Sequence, residues 1–220
     1  MTILYNVLND NLTKEDLLET SSKPSWLKEM PLLAGGFSNL KEWFKTAQPN
    51  DPVPKTVKAC PGIKDLLSKV IILKFPTDLL LDIQADGTYK WRTPWPVQNF
   101  NVSSHQSWQY NFSDNINIKI SLPLSLSCTK NVDIIYLEPF YHTSVPYKVI
   151  PGIVKLSSKH QSIQPINLFF DRENKTYQFR AGQPLCYIMV CNGSAQVKEQ
   201  KLNKLPFYSK RFLGDYRKNV

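Results

Sequence analysis

Apolar positions in this chain come in short runs. Between Pro146 and Cys191 the runs are β-branched and aromatic: Tyr147-Lys-Val-Ile150, Ile166-Asn-Leu-Phe-Phe170, Tyr177-Gln-Phe179 and Leu185-Cys-Tyr-Ile-Met-Val-Cys191. Turn chemistry separates them at Gly152, at Arg172–Lys175 and at Gly182, so they read as successive strands with tight bends between. The last run is apolar at every position, which predicts a strand buried on both faces. Ile116-Asn-Ile-Lys-Ile-Ser-Leu122 alternates strictly, the mark of a half-buried strand. Trp108, Tyr110 and Phe112 alternate as well and predict a strand with one aromatic face. Val70–Phe75, Leu79–Ile83 and Val132–Leu137 add further strands, and Asp86-Gly87 predicts a two-residue hairpin returning through Thr88–Arg92. Thr56–Cys60 is expected as a short strand, followed by a short helix over residues 62–68 with Pro61 at its first position.

The front of the chain follows a helical spacing. Thr13-Lys-Glu-Asp16 is a capping-box pattern, opening a helix expected to end near Ser21. Ser38 is expected to cap a second helix, Asn39–Thr46, with Leu40, Trp43 and Phe44 on one face. Gln48-Pro-Asn-Asp-Pro-Val-Pro54 breaks regular structure. The resulting division is a helical and irregular segment with a Pro-rich linker (1–54), a β-rich core domain (55–195) and a basic tail (196–220). The fold class is mainly β, a β-clip or jelly-roll-like sandwich of short strands with one to three short N-terminal helices.

Composition sharpens this picture. The 220 residues suffice for one large domain, and 16 prolines against 8 glycines favour short strands joined by ordered loops. The net charge of +9 is uneven: −1 over residues 1–50 and +5 over residues 196–220. A basic end suits an acidic partner, a protein surface or nucleic acid. The candidate contact residues are Trp26, Leu27, Trp43 and Phe44 in front, and Lys210, Arg211, Arg217 and Lys218 behind. The start lacks the basic and apolar pattern of a secretion signal, and no stretch of eighteen apolar residues occurs. A chain that is neither secreted nor membrane-spanning is the expectation. The four cysteines are expected to be reduced, with Cys186 and Cys191 as buried thiols on opposite faces of one strand.

Candidate chemistry is sparse. There is no Gly-rich phosphate loop, no Gly-x-Ser-x-Gly and no His-Glu-x-x-His. No catalytic residue, metal or cofactor is therefore expected. The residues nearest to a jelly-roll metal set, two His and a carboxylate on facing strands, are His142, His160 and Glu138.

Two resemblances enter here. Gly152-Ile-Val-Lys155, Asn167-Leu-Phe-Phe170 and Tyr177-Gln-Phe-Arg-Ala-Gly182-Gln-Pro-Leu185 together resemble the closing segment of the trimeric deoxyuridine triphosphatase and deoxycytidine triphosphate deaminase superfamily, the β-clip fold. The likeness covers about a fifth of the chain. It implies a homo-oligomer, a trimer in that family, and as an alternative a nucleotide-binding or nucleotide-hydrolysing role. The chain departs from the family where it matters: the acidic position falls on Lys155, the Gln after the final Gly falls near Tyr187, and a Lys-rich tail replaces the Gly-rich arm. The resemblance thus implies architecture more than activity. Ser25-Trp26-Leu-Lys28, Val57–Asp65, Pro139-Phe-Tyr-His142 and Pro151-Gly-Ile-Val154 look like uncharacterised proteins of tailed phages, including those of cyanobacteria. That likeness implies a viral origin, with copies of itself and other phage or host proteins as partners. The leading expectation is a non-enzymatic, virion-associated protein that oligomerises through its β core. A metal-dependent jelly-roll oxygenase is the third reading.

Overall fold

A computed structural model describes residues 2–20, 25–36, 39–48, 51–104, 115–142, 144–157, 162–191 and 196–199. In chain order its elements are β1 (Thr2–Val7), α1 (Lys14–Leu17), β2 (Leu18–Thr20), α2 (Ser25–Glu29), α3 (Leu40–Thr46), a single 3₁₀ turn (Val57–Ala59), α4 (Pro61–Lys69), β3 (Val70–Lys74), β4 (Leu79–Ile83) and β5 (Tyr89–Arg92). Then follow β6 (Asn101–Ser104), β7 (Asn115–Cys128), β8 (Val132–Leu137), β9 (Lys148–Val149), β10 (Ile153–Leu156), β11 (Ser162–Asp171), β12 (Lys175–Phe179), β13 (Pro184–Val190) and β14 (Gln196–Glu199). The protein is mainly β, with several antiparallel sheets and few short helices, as a β sandwich requires. Two compact units divide the chain: residues 1–19 with 71–220, here called the β body, and residues 20–70.

Among the described residues, three sheets build the β body. The largest runs β14-β1-β7-β11-β9, with β6 also on β7. Its organising strand is β7. One edge of β7 pairs first with β6, Asn101↔Ser121 to Ser104↔Ile118, and then with β1, Val7↔Leu124 to Ile3↔Cys128. Pro123, which has no N–H to give a ladder, sits between those two pairings, where its carbonyl accepts from Leu8 N–H at 2.9 Å. On the other edge, β11 shifts register between Ile163 and Pro165. The second sheet runs β10-β8-β13-β3-β2, and the third β12-β4-β5.

The inward positions of all three sheets meet in one core. Ile116, Ile118, Ile120, Leu122, Leu124 and Leu126 line the inner face of β7. Aromatic contacts link the sheets. Phe170 of β11 packs on Tyr177 and Phe179 of β12, with centroids 5.1 and 6.3 Å away, and Phe75 stacks on Phe179 at 4.7 Å. Tyr147 lies between Phe170 and Phe179 and donates its hydroxyl to the Leu185 carbonyl at 2.8 Å. That bond lets a buried phenol sit in an apolar core without an unmet polar group.

Several expectations hold in place and others move. The Thr13–Asp16 capping box forms, with the Thr13 N–H and hydroxyl donating to Asp16 Oδ2 at 2.7 and 2.8 Å. Its helix stops at Leu17 rather than Ser21, because the chain passes directly into β2. Thr2–Val7, read as part of a helical segment, form β1. Thr56–Cys60 is not a strand. Ala59 and Cys60 N–H donate to Thr56 and Val57 carbonyls, making a 3₁₀ turn that leads into α4 at Pro61. The hairpin forms where Asp86-Gly87 marks it, but with a three-residue loop rather than two: Gln84 N–H donates to the Thr88 carbonyl and Gly87 N–H to the Gln84 carbonyl, both at 2.9 Å, and Gly87 alone takes positive φ, +83°. Residues 196–199, read as the start of a tail, form β14 and pair in parallel with β1. The aromatic strand expected over Trp108, Tyr110 and Phe112 lies outside the described residues.

The 20–70 unit is held by loop pairing more than by helix length. Ala34 N–H donates to the Pro54 carbonyl at 2.6 Å, Thr56 N–H to the Leu32 carbonyl at 3.0 Å, and the Thr56 hydroxyl to the Pro31 carbonyl at 2.6 Å. Asn39, not Ser38, caps α3, accepting from Glu42 N–H at 3.1 Å. Among the described residues no helix is long and apolar enough to cross a membrane.

Candidate functional site

The candidate metal set does not gather on strands. β8 ends at Leu137, so Glu138 and His142 belong to a turn, closed by His142 N–H donating to the Pro139 carbonyl at 2.9 Å. An i, i+4 alignment on one strand face therefore does not apply. His160 lies outside the described residues. Among the described residues no three His, Cys, Asp or Glu side chains stand close enough to hold a metal ion.

His142 instead serves the turn itself. Its Nδ1 lies 2.6 Å from the Tyr187 hydroxyl, which also accepts from Tyr141 N–H at 3.2 Å. Tyr187 sits on β13 and is fully buried. Burial pushes its phenol up from 10 to about 12, so the hydroxyl stays protonated and available as a bridge. Phe140 and His142 meet the Tyr187 ring edge-on, at 5.9 and 5.5 Å. The Pro139–His142 turn is thus fastened over one end of the five-stranded sheet.

The other candidate residues divide sharply by exposure. Leu27 and Trp43 are 3% and 7% exposed, so the chain's own fold consumes their side chains. Phe44, beside Trp43 at 4.8 Å, is 65% exposed, and Leu40 is exposed too. The face expected to carry Leu40, Trp43 and Phe44 together is therefore split between interior and solvent. The side chain of Trp26, and Lys210, Arg211, Arg217 and Lys218, lie outside the described residues. Of the thiols, Cys128 and Cys186 are buried while Cys60 and Cys191 are exposed. Cys191 falls one residue past the end of β13, which corrects its reading as a buried thiol.

The β-clip positions are dispersed. Lys155 is exposed on β10, opposite Asp133 of β8. Asn167 is on β11, and Tyr187 is inside the turn just described. A polar cleft of about 690 Å³ opens beside the three-stranded sheet, lined by Asp82, Gln84, Lys90, Asn174, Lys175 and Thr176 among others. Its groups largely satisfy one another. Thr176 donates to Asp82 at 2.6 Å, Asn174 accepts from Ala85 N–H at 2.9 Å, and Lys175 pairs with Glu173 at 2.8 Å.

The surface that the sequence reading missed is apolar. Val132, Ile134 and Tyr136 of β8 face the core, so Asp133, Ile135 and Leu137 face outward. The register places Met189 of β13 and Ile153 of β10 on either side of Ile135. Opposed residues of an antiparallel pair share a face, which makes Ile153–Ile135–Met189 one outward apolar row. Leu137 and Tyr187 oppose each other in the next pair, where the Pro139–His142 turn covers Tyr187. Ile153 is 71% exposed and Phe140, at the rim, 54%, while Ile135, Leu137 and Met189 are half-buried. A sheet face turned to water normally carries polar side chains. The signal was present in Val-Asp-Ile-Ile-Tyr-Leu, whose Ile135 and Leu137 break the polar half of the alternation. Compared with protein-family models, with curated proteins and with solved structures, the chain shows no match.

Proposed function

We propose that this chain is a non-enzymatic phage protein, carried in the virion or acting in the host cytoplasm, that self-associates through its β body. The observation that carries the reading is the outward apolar row Ile153–Ile135–Met189 on the five-stranded sheet. Burying such a row against another surface gains about 25 cal/mol per Å² of apolar area removed from water. Apolar patches open to solvent mark association surfaces, and Ile153 is the open end of this row. The 20–70 unit supplies the second contact. It carries eight lysines against four carboxylates, a net of +4, with Leu40 and Phe44 exposed among Lys41 and Lys45. Lysine stems and apolar tips in one patch fit an acidic protein surface.

Native mass spectrometry of the full-length chain tests the self-association. An oligomer that persists at micromolar concentration is expected. A monomer at every concentration reached would overturn the reading.

A further inference from the structure

We infer that a second copy of this chain adds its own β10 to the free edge of β10, antiparallel, with Ile153 of each copy opposite Lys155 of the other. The inference rests on the self-association proposed above and names its surface and register.

Among the described residues, β10 has β8 on one side and no strand on the other. An open edge with an exposed apolar side chain is a template for another strand. Related by a twofold axis, two β10 strands meet antiparallel. Side chains opposite each other must then point to the same face, because a one-residue slip turns the core face to solvent. Only three short registers obey this. Pairing Ile153 with Ile153 places Pro151 opposite Lys155, and a proline has no N–H for the ladder. Pairing Lys155 with Lys155 sets two like charges directly across from each other. Pairing Val154 with Val154 avoids both. It runs from Gly152 to Leu156 with no proline inside, and sets Lys155 of one copy beside Ile153 of the other.

Charge and apolar groups are complementary in that register. Each row across the joined sheet reads Asp133, Lys155, then Ile153 and Ile135 of the second copy. Each lysine keeps its own Asp133 as cross-strand neighbour, while its methylenes cover the exposed Ile153 across the seam. The two five-stranded sheets become one ten-stranded sheet, with both outward apolar rows on the same side.

Disulfide trapping on the full chain decides the matter, with the exposed Cys60 and Cys191 replaced by serine. Opposed Cα atoms in such a pair are about 4.5–5.5 Å apart, within disulfide reach. The double variant Ile153→Cys with Lys155→Cys is therefore expected to run as a dimer without reductant. Ile153→Cys alone is expected to stay uncrosslinked, since its diagonal partner lies roughly 7–8 Å away. Ile153→Asp, at an exposed position that leaves the core intact, is expected to halve the native mass of a dimer. A wild-type monomer would remove both the function reading and this inference. A wild-type oligomer that keeps its mass in Ile153→Asp, or that crosslinks through Ile153→Cys alone, would overturn the pairing and leave self-association standing.

Discussion

At the scale of single residues, Tyr187 shows how a buried polar group becomes a fastener. Its hydroxyl serves both Tyr141 N–H and His142 Nδ1. Tyr187→Phe keeps the ring and deletes both bonds, at an expected cost of about 1–3 kcal/mol, measurable by urea unfolding. The same hydroxyl sets a pH dependence. The unfolded chain ionises this phenol near 10, the folded chain at about 12. Between those values the unfolded state has released a proton that the folded state retains. The stabilisation is complete below pH 10 and is lost as pH rises towards 12, by about 1.4 kcal/mol per pH unit at most. Burial pushes Tyr136 and Tyr147 up as well, so they steepen the fall in the same direction. Unfolding midpoints taken across the alkaline range should decline in the wild type and decline less in Tyr187→Phe.

At the scale of elements, legibility followed how local the cause of each element was. The β4–β5 hairpin was readable because Asp86-Gly87 supplies its own turn geometry. Gly87 sits at φ +83°, and an added Cβ would lie 3.4 Å from the Arg172 side chain. Gly87→Ala is expected to cost about 1–2 kcal/mol, seen as a lower thermal midpoint with unchanged strand content. Strand β7 was readable over Ile116–Leu122 but runs on to Cys128, because Pro123 reads locally as a stop. The fold tolerates it where the edge partner changes from β6 to β1. Strand β1 was hidden for a related reason. Ile3 and Tyr5 do alternate inward, but their partners on β7 are more than a hundred residues away, while the capping box close behind them announces a helix. The apolar outward row was hidden because it consists of three strands' worth of single residues, brought side by side only by register.

At the scale of the whole molecule, the unit boundaries redraw the charge map. Taken as residues 1–50, the front of the chain is slightly acidic. The structure assigns Asp10, Glu15, Asp16 and Glu19 to the β body, and Lys55, Lys58, Lys64 and Lys69 to the 20–70 unit. The unit that follows from the fold is basic, as are the C-terminal residues. Residues 200–220 hold six basic side chains and one acid, five of the nine net charges. Their removal after Glu199 is expected to weaken retention on a cation exchanger markedly. Removal from residue 196 takes β14 away from β1 and is expected to lower the midpoint.

The six-stranded sheet sets an order of events during synthesis. Its β1 bonds to β7, starting with Ile3 opposite Cys128, and to β14, starting with Thr2 opposite Gln196. Both of its partners are made after it, so β1 stays unpaired until β7, more than a hundred residues later, has followed. Contacts this far apart in sequence slow folding, and a strand with both edges open attracts neighbours meanwhile. On polysomes, where many nascent chains expose β1 at once, chaperone cover would be needed at β1 until β7 arrives.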